Sequence, residues 1–134
     1  MEKERKIDHI GIAVKDVEEA GRAYSTVFGG GSETEVVESE GVKTKFFKAG
    51  DTRIELLGSV REGSAIQKFI EKRGEGLHHI AIQVEDIEGE MARLKEQGIR
   101  FTTDQPTIGA GGHKVTFIHP RSLKGILLEM VEKS

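Results

Sequence analysis

The sequence predicts an α+β fold of two tandem βαβββ modules whose mixed sheets form a cleft. Two internal matches carry that expectation. Residues 9–18 read His9-Ile10-Gly11-Ile12-Ala13-Val14-Lys15-Asp16-Val17-Glu18 and recur seventy positions later as His79-Ile80-Ala81-Ile82-Gln83-Val84-Glu85-Asp86-Ile87-Glu88. Ile54-Glu55-Leu56-Leu57 recurs as Leu128-Glu129-Met130-Val131, at an offset of 74. The second copy therefore carries about four more residues before its last strand. A third observation is the change of apolar periodicity within each copy, from alternation to helical spacing and back.

Each element follows from local chemistry. A strand near residues 6–14 precedes Asp16, whose carboxylate suits the orphan amides of a helix start, with Glu19 three residues on. Val17, Ala20, Tyr24, Val27 and Phe28 then recur at helical spacing until Gly29-Gly30-Gly31 ends the run. Three β-like runs follow at about 32–38, 42–49 and 52–57, separated by the turns Glu40-Gly41 and Gly50-Asp51. Ile66, Phe69 and Ile70 mark a linking helix at about 63–73. In the second copy a strand at 77–84 leads to Asp86, to a stripe of Ile87, Met91 and Leu94, and to a stop at Gly98. Its remaining strands are expected at about 99–103, 113–119 and 125–131. Module one thus spans about 6–60 and module two about 76–132, within a single domain covering residues 1–134.

Composition narrows the function. The chain has 134 residues, 32% of them charged and 36% apolar, the balance of an ordinary globular domain. Twenty Lys and Arg against 23 Asp and Glu give a net charge of −3, which leaves no basic footprint for a nucleic acid. No apolar run approaches the roughly 18–20 residues of a membrane helix. The segment Met1-Glu2-Lys3-Glu4-Arg5-Lys6 lacks the apolar core of a signal peptide, so a cytoplasmic location is expected. The Lys3–Lys6 and Glu33–Glu40 clusters are expected as solvated surface. Cysteine is absent, which excludes disulfides, thiolate metal sites and a cysteine nucleophile. Gly109-Ala110-Gly111-Gly112 lacks the strand–glycine–helix context of a dinucleotide site.

Side-chain alternation assigns faces. Ile10, Ile12 and Val14 share the face suited to the helix, and His9, Gly11 and Ala13 share the other; Ile80, Ile82 and Val84 oppose His79, Ala81 and Gln83 in the same way. Glu55 and Glu129 each interrupt an apolar strand. An unpartnered buried carboxylate costs several kcal/mol, and a bound cation is the strongest compensation available. Two imidazoles and two carboxylates, contributed symmetrically, make an N2O2 donor set that suits Co, Mn, Ni, Fe or Zn better than Mg. Such an ion keeps two positions for a chelating substrate and acts as a Lewis acid on carbonyl oxygens. His78, of opposite parity to His79, is expected to pack or face solvent, and His119-Pro120 reads as a turn.

With these residues in place, the chain resembles the vicinal oxygen chelate (glyoxalase/bleomycin resistance/dioxygenase) superfamily over about residues 6–132. Within it the resemblance is strongest to the methylmalonyl-CoA epimerases. The segments that carry it are Ile7–Val14, Gly76-Leu77-His78-His79-Ile80-Ala81, Phe117-Ile118-His119-Pro120 and Lys124-Gly125-Ile126-Leu127-Leu128-Glu129. The resemblance implies His9, Glu55, His79 and Glu129 as metal ligands, with Glu129 also an acid/base group. It implies interconversion of (R)- and (S)-methylmalonyl-CoA by proton removal and return at C2, the enolate being held by the metal. It also implies a homodimer. The family's bacterial pattern has a glutamate two residues after the Gly-Val of the third strand, where Thr44 stands here. Either another group serves the second face, with Glu38, Glu40 and His113 nearest in sequence, or the substrate differs. Arg121 and Lys124 are candidates for the CoA phosphates, and Thr44 and His113 for other substrate contacts. Glyoxalase I shares the ligand types, and the superfamily also contains non-catalytic binding modules that lack the ligands.

Overall fold

Strand, capped helix, then three antiparallel strands: each repeated segment takes this course because its aspartate fixes where the helix begins. The chain, seen here as a computed structural model, is described over residues 5–133. In the first segment β1 spans Ile7–Ala13, α1 Val17–Phe28, β2 Glu35–Val37, β3 Val42–Ala49 and β4 Thr52–Ser59. Then come the linking helix α2, Ala65–Arg73, and in the second segment β5 Gly76–Gln83, α3 Ile87–Glu96, β6 Thr107–Ile108, β7 Lys114–Ile118 and β8 Leu128–Glu132. Asp16 Oδ1 accepts from the Glu19 amide and Asp86 Oδ1 from the Gly89 amide, both at 3.1 Å. The expected N-caps are therefore the ones used. Lys3 and Glu4 of the charged start lie outside the described residues.

The chain divides into two units, His9–His78 and Met1–Asp8 with His79–Ser134. In the first, the strand order is β2-β3-β4-β1, with β3 antiparallel to both neighbours and β1 parallel to β4. In the second it is β5-β8-β7-β6, with β5 parallel to β8 and the rest antiparallel. The two units have the same topology. In each, a helix covers the face that parity assigned to it. Val14, Val17, Phe47 and Leu56 form a buried cluster with Ile12, Ala20, Tyr24 and Ile54. Val84, Ile87, Met91 and Met130 do the same with Ile82, Leu94, Phe101 and Leu128. Complete burial of a side chain such as Leu56 or Phe47 is worth about 2–3 kcal/mol. Gly31 allows the chain to turn closely over this core: a Cβ there would come within 2.7 Å of the Phe47 ring.

The second unit also holds the start of β1. Asp8, 2% exposed, accepts from Gln83 Nε2 at 3.1 Å and pairs with Lys133 Nζ at 2.9 Å, so this buried carboxylate is compensated within the protein.

Three expectations are corrected. Val27 is 76% exposed and does not belong to the α1 stripe. At about 100° per residue it falls some 80° from the line of Val17, whereas Tyr24 and Phe28 lie within about 20° of it and stack on each other. The run 99–103 forms no strand; only Phe101 bridges, to Ile118. On either side of that bridge the Thr102 amide donates to the Phe117 carbonyl and the His119 amide to the Arg100 carbonyl. The chain then turns, Thr103 Oγ1 donating to the Gln105 carbonyl and Pro106 having no amide to donate, and pairing resumes with β6 at Thr107–Ile108. The last strand starts at Leu128 rather than 125. Lys124 and Gly125 adopt positive φ (62° and 96°), and the Gly125 amide closes a turn on the Pro120 carbonyl.

Candidate metal centre

The face of each sheet turned away from its helix carries the predicted ligands. In the first unit β1 supplies His9 and β4 supplies Glu55, whose register partner Gly11 lies two residues beyond the histidine. In the second unit β5 supplies His79 and β8 Glu129, opposite Ala81, again two residues on. His9 Nε2 lies 3.3 Å from Glu55 Oε1, and His79 Nε2 lies 3.1 Å from Glu129 Oε1. All four residues are buried, Glu55 at 6% exposure and Glu129 at 5%. Parallel pairing explains the repeat: the same two-residue stagger brings an imidazole and a carboxylate from adjacent strands to one place.

These pairs fit a bound metal on two counts. Carboxylate and imidazole nitrogen are the borderline donors of first-row divalent metals. Two ligands at about 2.1 Å and right angles stand about 3.0 Å apart, close to the Nε2–Oε1 separations found in both units. A second acidic group, Asp86, Glu88 and Glu132, has other work. Asp86 caps Gly89, Glu132 Oε1 accepts from the Ile87 amide at 2.9 Å, and Glu88 pairs with Lys114 at 3.0 Å. The Lys114 contact holds the Glu88 carboxyl below its ordinary value and raises that of the ammonium. Glu18 and Lys43 repeat the arrangement at 2.9 Å in the first unit.

The remaining candidates are placed as follows. Thr44 is buried on β3, and its hydroxyl donates to the Glu35 carbonyl at 3.4 Å. It shares a strand face with Phe46, two residues on, whose register partner is Glu55. His113 is half-buried beside Gly111, while Arg121 and Lys124 are exposed on the turn between β7 and β8. His119 caps that turn, its Nδ1 accepting from the Arg121 amide at 3.1 Å. His78 packs edge-on against Phe69, with ring centroids 4.8 Å apart, as its parity predicts. Glu38 is exposed and Glu40 half-buried at the β2–β3 turn. A cavity of about 430 Å³ in the first unit is lined by Lys15, Ser59, Arg61, Gln67 and Ile70 among others, and by none of the predicted site residues.

Two aromatic residues next to the pairs were given no role by the sequence. Phe46 meets the His9 ring at 5.6 Å and 81°, and Phe117 meets the His79 ring at 5.8 Å and 87°. Aligning Lys43-Thr44-Lys45-Phe46 with Lys114-Val115-Thr116-Phe117 exposes them, at an offset of 71 that falls between the two offsets of the repeat. Arg53 Cζ also lies over the Phe46 ring, 4.0 Å from its centroid.

Comparison with known proteins places these features in a family. Residues 8–117 match the model of the glyoxalase/bleomycin resistance protein/dioxygenase superfamily. An ethylmalonyl-CoA/methylmalonyl-CoA epimerase of Cereibacter sphaeroides is 40% identical over 93% of this chain and 96% of its own. The mitochondrial methylmalonyl-CoA epimerase of Dictyostelium discoideum is 37% identical over 96% of this chain and 78% of its own. A solved structure of a single-residue variant of Streptomyces coelicolor methylmalonyl-CoA epimerase in complex with 2-nitronate-propionyl-CoA superimposes with a TM-score of 0.91. It is 36% identical, covering 96% of this chain and 97% of that one.

Proposed function

The chain belongs to the glyoxalase/bleomycin resistance/dioxygenase superfamily, and from that premise we propose that it interconverts (R)- and (S)-methylmalonyl-CoA. It is an isomerase that removes and returns the proton at C2 of an acyl-CoA. The observation that carries this reading is similarity to epimerases along nearly the whole chain, at up to 40% identity, with a buried His–Glu pair in each unit.

His9, Glu55, His79 and Glu129 together hold one divalent transition metal, drawn from Co, Mn, Ni, Fe and Zn, with cobalt the one to try first. When bound, that ion supplies Lewis-acid stabilisation of the enolate formed from the thioester. Glu129 does the proton work. Its carboxylate, which meets His79 Nε2 through Oε1, takes the C2 proton and gives it back. The side chain is buried, which limits the access of bulk water to this carboxylate. Thr44 does not serve the other face, because a hydroxyl is no base near neutral pH and this one donates to a carbonyl. A different group delivers the second proton. Arg121 and Lys124, exposed and cationic, meet the CoA phosphates, and His113 contributes a further substrate contact.

The same reading has the chain acting as one domain, in a homodimer, in the cytoplasm. Lack of cysteine suits a reducing compartment, and no helix among the described residues is long and apolar enough to cross a membrane.

Parallel assays test the proposal: solvent deuterium entering C2 of methylmalonyl-CoA, and turnover of the methylglyoxal–glutathione hemithioacetal. Exchange with methylmalonyl-CoA and no turnover of the hemithioacetal is expected. Activity on the hemithioacetal alone would assign a glyoxalase, and stoichiometric small-molecule binding without metal or turnover a binding module.

A further inference from the structure

We infer that Phe46 and Phe117 are positioning residues that hold the His9 and His79 imidazoles in the one ring orientation that presents Nε2 to a metal ion. The inference rests on the proposed four-residue ligand set and adds to it the groups that aim two of its members.

The contact with phenylalanine adds to the carboxylate that each Nε2 already meets. Rotation about the Cβ–Cγ bond of a histidine is broad and roughly two-fold, so the backbone and χ1 do not by themselves decide where Nε2 points. A neighbouring ring meeting it at nearly a right angle removes that freedom, since edge-to-face contact is the favoured geometry for such pairs. Both histidines have this contact, at 5.6 Å and 81° for His9 with Phe46, and 5.8 Å and 87° for His79 with Phe117.

The arrangement is built by register in each unit separately. Antiparallel pairing sets Phe46 opposite Glu55 and Phe117 opposite Glu129, so ring and carboxylate rise from one face. The parallel neighbour brings the histidine to the same place. The three members recur at different offsets: 70 for the histidines, 71 for the phenylalanines and 74 for the glutamates. What the two units share is thus a spatial trio that has persisted through two changes of chain length. The residues next along the strands show that an aromatic is not simply favoured there. Phe47, on the helix side of β3, corresponds to Ile118 on β7, so on the core face the ring was interchangeable with an aliphatic side chain. On the ligand face both copies keep phenylalanine.

Cobalt affinity measured by isothermal titration of the full chain tests this, on the parent, Phe46→Leu, Phe117→Leu, the ring-retaining Phe46→Tyr and Phe117→Tyr, and Phe69→Leu. Phe69 is the control, since it makes the same edge-on contact to His78, which is not among the ligands. Both sites of substitution are half-buried, and thermal unfolding of the metal-free variants checks that they fold. Each leucine variant at 46 and 117 is expected to bind cobalt about tenfold more weakly, the low end of what outer-shell orientation is worth. The tyrosine variants and Phe69→Leu should stay near the parent. Parental affinity in Phe46→Leu and Phe117→Leu, or an equal loss in Phe69→Leu, overturns the inference while leaving the ligand set standing. A parent chain that binds no cobalt overturns both together.

Discussion

Replacing Glu129 by glutamine separates the two tasks assigned to this side chain. The substitution preserves its shape in a place only 5% exposed and removes its charge. The amide oxygen can still accept from His79 Nε2, 3.1 Å away in the parent, so that contact is kept. Stability should therefore change by less than about 1 kcal/mol. Proton transfer is another matter, since a carboxamide cannot act as a base. Loss of a positioned acid/base group costs about 10²- to 10⁴-fold, or about 2.7–5.4 kcal/mol of barrier. The assay follows solvent deuterium into C2, starting from each epimer separately, with bound metal and thermal unfolding measured on the same preparation. Glu129→Gln should keep part of its metal and its fold while exchange from at least one epimer falls about 100-fold or more. Exchange at the parental rate from both epimers would remove Glu129 from the acid/base role.

Three further outcomes are expected. His79→Ala should lose bound metal and activity while still unfolding cooperatively; metal analysis decides it, and unchanged metal content would show that His79 is no ligand. Thr116 Oγ1 is buried without a hydrogen-bond partner among the described residues, so Thr116→Val should raise stability by about 1 kcal/mol and the unfolding midpoint by about 2–4 °C. A lower midpoint in calorimetry would contradict that. For Glu90, partial burial works against ionisation, but hydrogen bonds from Arg93 and Arg5 prevail and hold the carboxyl below its ordinary value of 4.5. Its folded-state value is depressed, so its contribution is present above pH 4.5 and is lost as the pH falls through the lower value. The midpoint difference between parent and Glu90→Gln, at most about 1 kcal/mol for so exposed a network, should favour the parent at pH 7 and vanish in acid.

The repeat made most of the fold legible. His9–Glu18 against His79–Glu88 fixes a strand and a capped helix twice, and both aspartates cap as read. Parity also separates Ile54 and Leu56 from Glu55, and Leu128 and Met130 from Glu129, so both carboxylates are legible as lying on the face away from the helix. Less was legible where the copies diverge in length. The run 99–103 looked like a strand by composition, but its pairing with β7 is confined to Arg100–Thr102. Pairing resumes only at β6, past the turn that Thr103 makes with Gln105 and Pro106, and hydrophobic periodicity does not show such a break. Phe46 and Phe117 escaped for a related reason. Their offset of 71 matches neither strand used to find the repeat, and a lone phenylalanine in a strand looks like core. Asp8 was passed over because its partners, Gln83 and Lys133, lie far along the chain.

The most direct measurement is deuterium exchange at C2 of methylmalonyl-CoA before metal removal, after it, and after cobalt is restored. The account predicts exchange that disappears with the metal and returns at one ion per chain, with Glu55→Ala and His9→Ala unable to recover it. Exchange that continues undiminished in the stripped protein would contradict it.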